Sequence, residues 1–193
     1  MESIFETDRL TLEPLRRSHD AELFAVLADP RLYRYVPGEP TADVASLAER
    51  FERLESRTSP SGDEQWLNWI VRAKASGTCV GRVQVTIRPD RSAYLAYEIG
   101  AAFWRQGFAT EACARVLRAL FEELGMSEVV AEVDTRNSAS IGLLERLGFA
   151  CIARREAVDF FKGAWSDEWA YVLSDGKRRA GGMACPPEED PTS

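Results

Sequence analysis

The sequence has little histidine and widely scattered cysteine. Its only histidine is His19, and its four cysteines, at positions 79, 113, 151 and 185, are separated by more than thirty residues each. Zinc sites and dithiol redox centres need ligands at short spacings such as CxxC. A Ser-His-Asp centre would have to recruit His19, which lies in a polar stretch. The sequence therefore predicts no metal site and no histidine-based nucleophile.

Long apolar runs and a basic leader are also missing. No apolar run approaches the roughly 18 residues that indicate a membrane span. The first six residues lack a basic region followed by an apolar one, so we predict no secretory signal, no membrane partner and a cytoplasmic protein. The formal net charge is −7. This excess of negative charge disfavours a nucleic-acid partner bound through its phosphates and suits a cationic acceptor.

Two familiar phosphate-binding motifs, GxxxxGK[ST] and GxGxxG, are absent, so neither a P-loop hydrolase nor a dinucleotide fold is predicted. A short loop at residues 104–110 instead runs directly into an amphipathic helix, with Gly107 and Ala109 two residues apart. Small residues let a pyrophosphate approach the backbone, and the free N–H groups of a helix start attract anions. Glu98 stands on the strand before the loop. This arrangement favours a phosphate-bearing cofactor beside a base; an ordinary strand-to-helix turn is the alternative.

Apolar periodicity predicts one α/β domain over residues 1–174. The predicted strands cover residues 7–15, 66–73, 78–87, 93–100, 128–134, 149–160 and 168–173. The predicted helices cover residues 20–29, 42–57 and 109–124, with a further helix capped by Asn137. The strands at 93–100 and 128–134 are joined through a helix, so we expect them to be parallel neighbours. Residues 175–193 lack a core-forming pattern and predict a flexible tail, or alternatively a partner-binding segment.

Two segments resemble cofactor-side elements of the GNAT superfamily of acyl-CoA N-acyltransferases. Residues 104–112 resemble the pyrophosphate loop of that family, and residues 137–149 resemble its second cofactor-side element, in the same order and spacing. Residues 7–15, 29–30 and 163–167 also match. The similarity is greatest to the branch typified by the RimJ/RimL ribosomal-protein N-terminal acetyltransferases. It covers about residues 5–174 and implies a mixed, mostly antiparallel, centrally splayed sheet flanked by helices.

The resemblance implies that acetyl-CoA is the co-substrate and that a primary amine, either a protein N-terminus or a small molecule, is the acceptor. Backbone N–H groups of the loop would hold the pyrophosphate, and the strand at 99–101 would pair with the pantetheine arm. Asn137 would hydrogen-bond the pantetheine, and Ser140 would face the thioester sulfur. The residues implied to contact the cofactor are Ile99, Gly100, Ala101, Arg105, Gln106, Gly107, Phe108, Ala109, Thr110, Asn137 and Ser140.

An amine must lose its proton before it attacks the thioester, so the reaction needs a base such as a carboxylate. Glu98 is the first candidate, although a strand carboxylate can also face solvent or pair with an arginine. Asp159 is the rival, because some members of this branch place an acidic residue before the turn at Gly163, and Glu156 is a weaker third. The oxyanion would accept a hydrogen bond from a backbone N–H of residues 99–101.

The leaving thiolate needs a proton less urgently, since a thiol has a pKa of only about 8.5. Many family members carry a tyrosine four residues after the position of Ser140, where this sequence has Leu144. We therefore expect Ser140 or water to serve as the proton donor; the alternative for Ser140 is a first-turn serine bonded to backbone. Trp104 also departs from many superfamily loops and is expected to pack rather than to bind phosphate.

The acceptor side is the least defined. The resemblance places acceptor pockets between the first two helices and the last hairpin, where an aromatic cluster could surround an amine. Core packing is the alternative for each tryptophan. A non-catalytic acyl-CoA-binding regulatory module is the alternative function, while the acceptor, the acyl length and a homodimer are left open. The aromatic candidates are Tyr33, Tyr35, Trp66, Trp69, Phe160, Phe161 and Trp165.

Overall fold

The computed structural model describes residues 3–175 of the 193-residue chain. The tail predicted at 175–193 therefore lies outside the described residues, apart from Asp175. Within the described part of the chain, no helix is both long and apolar enough to cross a membrane.

Within residues 3–175, eight strands form one mixed sheet. They are Phe5–Glu6 (β1), Leu10–Pro14 (β2), Gln65–Ala73 (β3), Cys79–Ile87 (β4), Ala93–Ile99 (β5), Glu128–Asp134 (β6), Ala150–Phe161 (β7) and Ala164–Ser174 (β8). Their spatial order is β1-β2-β3-β4-β5-β6-β8-β7. Only β5 and β6 are parallel; every other neighbouring pair is antiparallel. The predicted mixed, mostly antiparallel sheet and the predicted parallel pair are confirmed.

Four α-helices cover this sheet, at Asp20–Leu27 (α1), Val44–Glu55 (α2), Phe108–Glu122 (α3) and Ser138–Arg146 (α4). Asp43 caps α2 by accepting a hydrogen bond from the Ser46 N–H at 2.7 Å. Asn137 caps α4, as predicted, by accepting from the Ser140 N–H at 3.2 Å. The start of α3 is different, because its N-cap residue is Gly107 and no side chain caps it.

The helices bury two separate apolar clusters on opposite faces of the sheet. On one face, Cys113 of α3 and Leu144 of α4 pack against strand residues such as Val83 and Ile99. On the other, Leu27 of α1 and Phe51 of α2 belong to a smaller cluster with Ile70. Because side chains alternate along a strand, each strand residue belongs to either the α3/α4 face or the α1/α2 face.

Most predicted bounds differ from the structure by a few residues, and three differences bear on the site. Strand β1, which pairs with β2 at Phe5↔Leu12, was not predicted because it is only two residues long. Strand β5 ends at Ile99, and Ala101 begins a short 3-10 turn rather than continuing the strand. The last hairpin turns at Lys162 and Gly163, which have φ values of 50° and 80°. Such left-handed pairs make tight two-residue hairpin turns, so β8 begins earlier than predicted.

Candidate active site

The parallel pair β5–β6 opens into a wedge. Only Ala93↔Val129 and Tyr94↔Val130 are in register, although β5 continues to Ile99 and β6 to Asp134. Beyond those two pairs, each strand stays bonded to its outer neighbour, β4 or β8. The inner edges beyond Tyr94 and Val130 therefore present backbone groups between which an extended ligand could bind.

The loop that follows β5 is shaped to bind an anion. Arg105 and Gly107 have left-handed φ values of 59° and 81°, and such alternation turns successive backbone N–H groups into one concave surface. The first N–H groups of α3 have no intrahelical partner, and the helix start carries partial positive charge. A Cβ at Gly107 would lie 3.2 Å from Arg9 Nη2. The left-handed conformation therefore favours glycine there, and a larger residue would also have to displace the end of Arg9 slightly.

A clamp from the N-terminal segment holds this loop, and sequence reasoning did not find it. Arg9 donates from Nη1 to the Gln106 carbonyl at 2.9 Å and from Nε to Glu111 at 2.6 Å. Thr7 Oγ1 also donates to Glu111, at 2.5 Å. Burial opposes ionisation of Glu111, but the hydrogen bonds from Thr7 and Arg9 outweigh it and lower the pKa of the carboxyl. The partners are about a hundred residues apart, so no local pattern connects them.

The residues predicted to pair with pantetheine lie at the end of β5 and already have some backbone partners. The Ile99 carbonyl accepts a hydrogen bond from Trp104 Nε1 at 2.6 Å. The Gly100 N–H donates to the Val80 carbonyl at 2.8 Å. Trp104 is 46% exposed, so it covers the end of the strand rather than filling the core. An extended ligand that bonds to the Ile99 carbonyl would have to share that carbonyl with the Trp104 indole or displace the indole.

Asn137 and Ser140 lie at the start of α4, on the far side of the wedge. The Asn137 side-chain oxygen is engaged by the Ser140 N–H, which leaves its amide N–H groups to donate to a ligand. Tyr97, from β5, lies near Ser140. Burial raises the pKa of the Tyr97 phenol, and the nearby Ser140 hydroxyl opposes this effect. Strand alternation places Tyr97 on the opposite face of β5 from Glu98, and the sequence analysis did not single it out.

Glu98 faces the α1/α2 side of the sheet and pairs with an arginine. Arg82 is its cross-strand partner on β4, and Arg82 Nε donates to a Glu98 carboxylate oxygen. The Arg82 side chain is only 1% exposed, and its Nη1 has no hydrogen-bond acceptor among the described residues. Glu98 is thus the counter-ion of a buried charge, which is the alternative that the sequence left open for it.

Asp159 lies on the same face of the sheet as Glu98, but beyond β6 and β8. It is half-buried and pairs with Ser166 across the last hairpin. Glu168, two residues further along β8, has a pKa raised by burial and then by the charges of Glu132 and Asp159. Several carboxylates therefore lie close together on this side, and an ammonium group would be attracted to them.

Asp134 at the end of β6 is also acidic, but its role is structural. Its carboxylate accepts hydrogen bonds from Arg136, with Nη2 at 2.6 Å, and from Ser166 Oγ at 3.1 Å. Burial opposes its ionisation, yet the hydrogen bonds from Arg136 and Ser166 keep the pKa of Asp134 below its usual value. Within residues 3–175, no group of three or more His, Cys, Asp or Glu side chains could hold a metal ion.

A bulge in β7 determines where Asp159 lies. The register of the hairpin shifts between Arg155 and Asp159. Within this segment Ala157 has a φ of 51°, and its N–H donates to Asp167 Oδ1 at 2.9 Å. Bulges of this kind re-aim side chains, and Asp167 anchors this one. Glu156, the third candidate base, is exposed in the bulge.

The aromatic residues proposed for the acceptor do not assemble into one cage. Trp69 is buried in the α3/α4 cluster, as the core alternative expected. Phe160 and Trp165 form an exposed edge-to-face pair with ring centres 5.4 Å apart. Lys162 Nζ donates to the backbone carbonyl of Tyr33, so the hairpin tip touches the segment after α1. This contact joins the last hairpin to the segment after α1, near the carboxylates of the α1/α2 face.

Comparison with known proteins identifies relatives of this architecture. The model of the acetyltransferase (GNAT) domain matches residues 9–150, well over half of the chain. The uncharacterized N-acetyltransferase YoaA of Bacillus subtilis is 28% identical over 148 residues, covering 76% of this chain and 82% of YoaA. The FsC-acetyl coenzyme A-N(2)-transacetylase of Aspergillus fumigatus is also 28% identical over 148 residues, covering 74% of this chain and 63% of that protein.

A solved structure shares the fold at lower sequence identity. RimL, a ribosomal-protein alpha-N-acetyltransferase crystallised with coenzyme A, superposes with a TM-score of 0.80 at 16% identity. The superposition covers 89% of this chain and 98% of that structure. At this identity the likeness establishes the arrangement of the sheet and helices.

Proposed function

The chain belongs to the acetyltransferase (GNAT) family and is an acetyl-CoA-dependent N-acyltransferase, and from this premise we propose that it transfers an acetyl group to a primary amine by direct attack. The observation that carries the proposal is the convergence of three features at one place. The unpaired wedge, the left-handed loop and the uncapped start of α3 all meet where β5 ends. Acetyl-CoA supplies an activated carbonyl when it is bound there.

The loop residues 105–110 would hold the pyrophosphate through their backbone N–H groups. The fit rests on Gly107, whose left-handed φ disfavours any residue with a Cβ, and beside which the Arg9 guanidinium lies. A backbone concavity at a helix start suits an anion. Arg9 is half-exposed beside this loop, so its guanidinium can add positive charge for the phosphates. The RimL structure with coenzyme A supports the same use of this fold.

The wedge itself would align the pantetheine arm. Its inner edges beyond Tyr94 and Val130 are free of strand pairing, and Asn137 presents amide donors from the start of α4. Extended ligands add to such edges through main-chain hydrogen bonds. A thioester held in this way would lie between the α3/α4 face, with Ser140, and the α1/α2 face, with the carboxylates.

We propose Asp159 as the base that deprotonates the amine, with Glu98 as the competing candidate. The Glu98 carboxylate is the counter-ion of the buried Arg82 guanidinium, and this pairing competes with a role as base. Asp159 lies among other acidic groups, which attract a protonated amine before it gives up its proton. The amine nitrogen then attacks the carbonyl carbon, the carbon–sulfur bond breaks, and the thiolate leaves. A direct attack of this kind needs no covalent intermediate on the protein.

Ser140 would donate a hydrogen bond to the departing sulfur. Ser140 is half-buried in the first turn of α4, where Asn137 caps the helix, and this supports the role. A thiolate is a good leaving group, so a hydrogen bond can suffice where full proton transfer is not required. The cationic acceptor favoured by the acidic groups near Asp159 is either a protein N-terminus or a small-molecule amine.

The proposal is tested by measuring thiol release from acetyl-CoA across a panel of amines. The panel would contain short peptides with free N-termini, a polyamine, amino acids and an aminoglycoside, with acetyl-CoA alone as the control. Release stimulated by at least one amine is the expected result. Tight binding of coenzyme A without release for any amine would instead support a regulatory acyl-CoA-binding module. Absence of coenzyme A binding would contradict both.

A further inference from the structure

We infer that Arg9 binds the diphosphate of acetyl-CoA directly and that Glu111, on α3, positions Arg9 for this contact. The inference rests on the proposed function, because it assumes that the cofactor binds at residues 105–110. Arg9 lies in the turn between β1 and β2, and Glu111 is in the first turn of α3. The turn before β2 would thus supply a cation to the anion site, where residues 106–114 contain no lysine or arginine.

Glu111 holds both the backbone and the side chain of Arg9. Its Oε1 accepts hydrogen bonds from the Arg9 backbone N–H at 3.0 Å and from Thr7 Oγ1 at 2.5 Å. Its Oε2 accepts from Arg9 Nε at 2.6 Å and lies 2.6 Å from Arg9 Nη2. Hydrogen bonds to a charged carboxylate are shorter and stronger than those between neutral groups. Arg9 is therefore restrained at its main chain and at two nitrogens of its guanidinium.

The restrained guanidinium lies along the loop. Arg9 Nη1 donates to the Gln106 carbonyl at 2.9 Å, and Nη2 is 3.2 Å from the position that a Cβ on Gly107 would take. The guanidinium carbon is 4.8 Å from the centre of the Phe108 ring. Arg9 thus follows three consecutive residues from the loop into the start of α3, beside the backbone N–H groups that the proposed function assigns to the phosphates.

Arg9 keeps hydrogen-bond donors for a phosphate. Each Nη atom carries two N–H groups, and the contacts to Gln106 and Glu111 engage one on each atom. The Arg9 side chain is 49% exposed, so a ligand can reach it. A planar guanidinium suits phosphate oxygens because it presents its donors in a fixed fork. The geometry therefore places a side-chain donor next to the backbone N–H groups of the loop.

The sign of the Glu111 effect separates positioning from simple electrostatics. A carboxylate beside a diphosphate repels it, so charge alone predicts tighter cofactor binding when Glu111 is neutralised. Positioning predicts the opposite. A released Arg9 would let go of the Gln106 carbonyl, and it would lose its rotamer freedom only when the phosphate binds, which weakens the complex.

The test is calorimetry with coenzyme A and with dephospho-coenzyme A, which lacks the ribose phosphate but keeps the diphosphate. Arg9→Met should weaken the binding of both ligands about tenfold. Glu111→Gln should weaken both about threefold. In the Arg9→Met background, however, Glu111→Gln should strengthen binding, because a carboxylate without its arginine only repels the phosphates. A general loss of packing would not produce this reversal of sign.

Arg16→Met is the matched control. Arg16 is 52% exposed and pairs with Glu55 at the end of α2, so its variant should bind both ligands as the wild type does. With an acceptor from the amine panel, Arg9→Met should raise KM for acetyl-CoA at unchanged kcat, because the diphosphate keeps the same contacts in the transition state. Thermal unfolding checks that each variant is folded. Arg9→Lys keeps the charge but not the fork, so it should also bind both ligands more weakly, and it replaces Arg9→Met if that variant does not fold.

The outcomes separate this inference from the function beneath it. Wild-type affinity in a folded Arg9 variant would overturn the role of Arg9 and leave the acetyltransferase proposal standing. A loss seen with coenzyme A but not with dephospho-coenzyme A would overturn the assignment to the diphosphate. Tighter binding by Glu111→Gln alone would overturn the positioning role. Failure of the wild type to bind coenzyme A would remove both the inference and the proposed function.

Discussion

The two faces of the sheet at the wedge are built in contrasting ways. On the α3/α4 face, Leu95 and Ile99 of β5 belong to a large apolar cluster, and Tyr97 is packed against it. On the α1/α2 face, the same strand presents Glu98 to the buried Arg82, and beyond β6 the carboxylates of Asp159 and Glu168 lie close together. One face is held by packing and the other by charge.

The difference suggests a division of labour. Packed apolar side chains occupy defined positions, because any displacement opens a cavity or forces a clash. In the proposed function, the thioester, which must be held in one place, lies against that face. Charges act over longer distances, so they can attract a protonated amine, and a carboxylate can take its proton. The proposed acceptor side is therefore the face where the carboxylates lie. Substitutions on each face test whether the two faces divide the work in this way.

The largest effect on turnover is expected from replacing Asp159, the proposed base. Asp159→Asn should lower kcat by roughly a hundredfold to ten-thousandfold, because general base catalysis contributes about that much. Stability should change little, since Asp159 is half-buried at the sheet edge. Thiol release with the best amine of the panel measures kcat. Glu156→Gln, in the exposed bulge nearby, is the matched control and should behave as the wild type. Undiminished turnover in Asp159→Asn would transfer the role to Glu98.

Glu98→Ala should be the most destabilising change. It leaves the charge of Arg82 buried and unpaired, which costs about 3 kcal/mol of unfolding free energy. Urea denaturation measures the loss. Adding Arg82→Met should restore most of it, because an apolar side chain of similar length needs no counter-ion. Glu6→Ala, which removes the partner of exposed Lys74 at 3.0 Å, is the control and should cost less than about 1 kcal/mol. Equal losses in both would mean that Glu98 is not a buried counter-ion.

Gly107→Val should weaken acetyl-CoA binding about tenfold or more. A β-branched residue in the left-handed region costs about 1–2 kcal/mol, and the side chain would also meet Arg9, so the concave loop must open. Calorimetry gives the dissociation constant. Gly163→Val is the matched control, because Gly163 has nearly the same φ, 80° against 81°, and nothing within 4 Å of its added Cβ. The control should lose stability but keep its affinity; equal affinity in both variants would count against the loop.

The smallest effect concerns pH and Glu168. The carboxyl of Glu168 has a higher pKa in the folded protein than in the unfolded chain. Its contribution to folding stability is therefore present below the unfolded pKa of about 4.3 and is lost as pH rises through the native pKa. Glu168→Gln should therefore be slightly more stable than the wild type at pH 7 and equal to it near pH 4. Urea denaturation at the two pH values checks this. Glu128→Gln, exposed at the start of β6, should show no such difference.

The features predicted from the sequence differ from those that were missed in how far apart along the chain their partners lie. The α3 pattern and the cap at Asn137 were predicted, because each depends on neighbours close in sequence. The parallel pair of β5 and β6 was predicted because a helix connects the two strands. The pairing of Glu98 was left open, because strand alternation places it on a face but does not name Arg82, sixteen residues away, as its partner. Arg9 was missed, because nothing near it in the sequence marks its partner.

By itself, the sequence determined the helices, most strands and the loop before α3, because propensity, periodicity and turn chemistry act over a few residues. Its resemblance to the GNAT superfamily indicated the family. Tertiary structure alone decided which charged and hydroxyl groups meet. The clamp of Arg9 on Glu111 and the pairing of Arg82 with Glu98 join separate elements. Such contacts depend on strand order, register and the splaying of β5 from β6, which arise only when the whole sheet assembles.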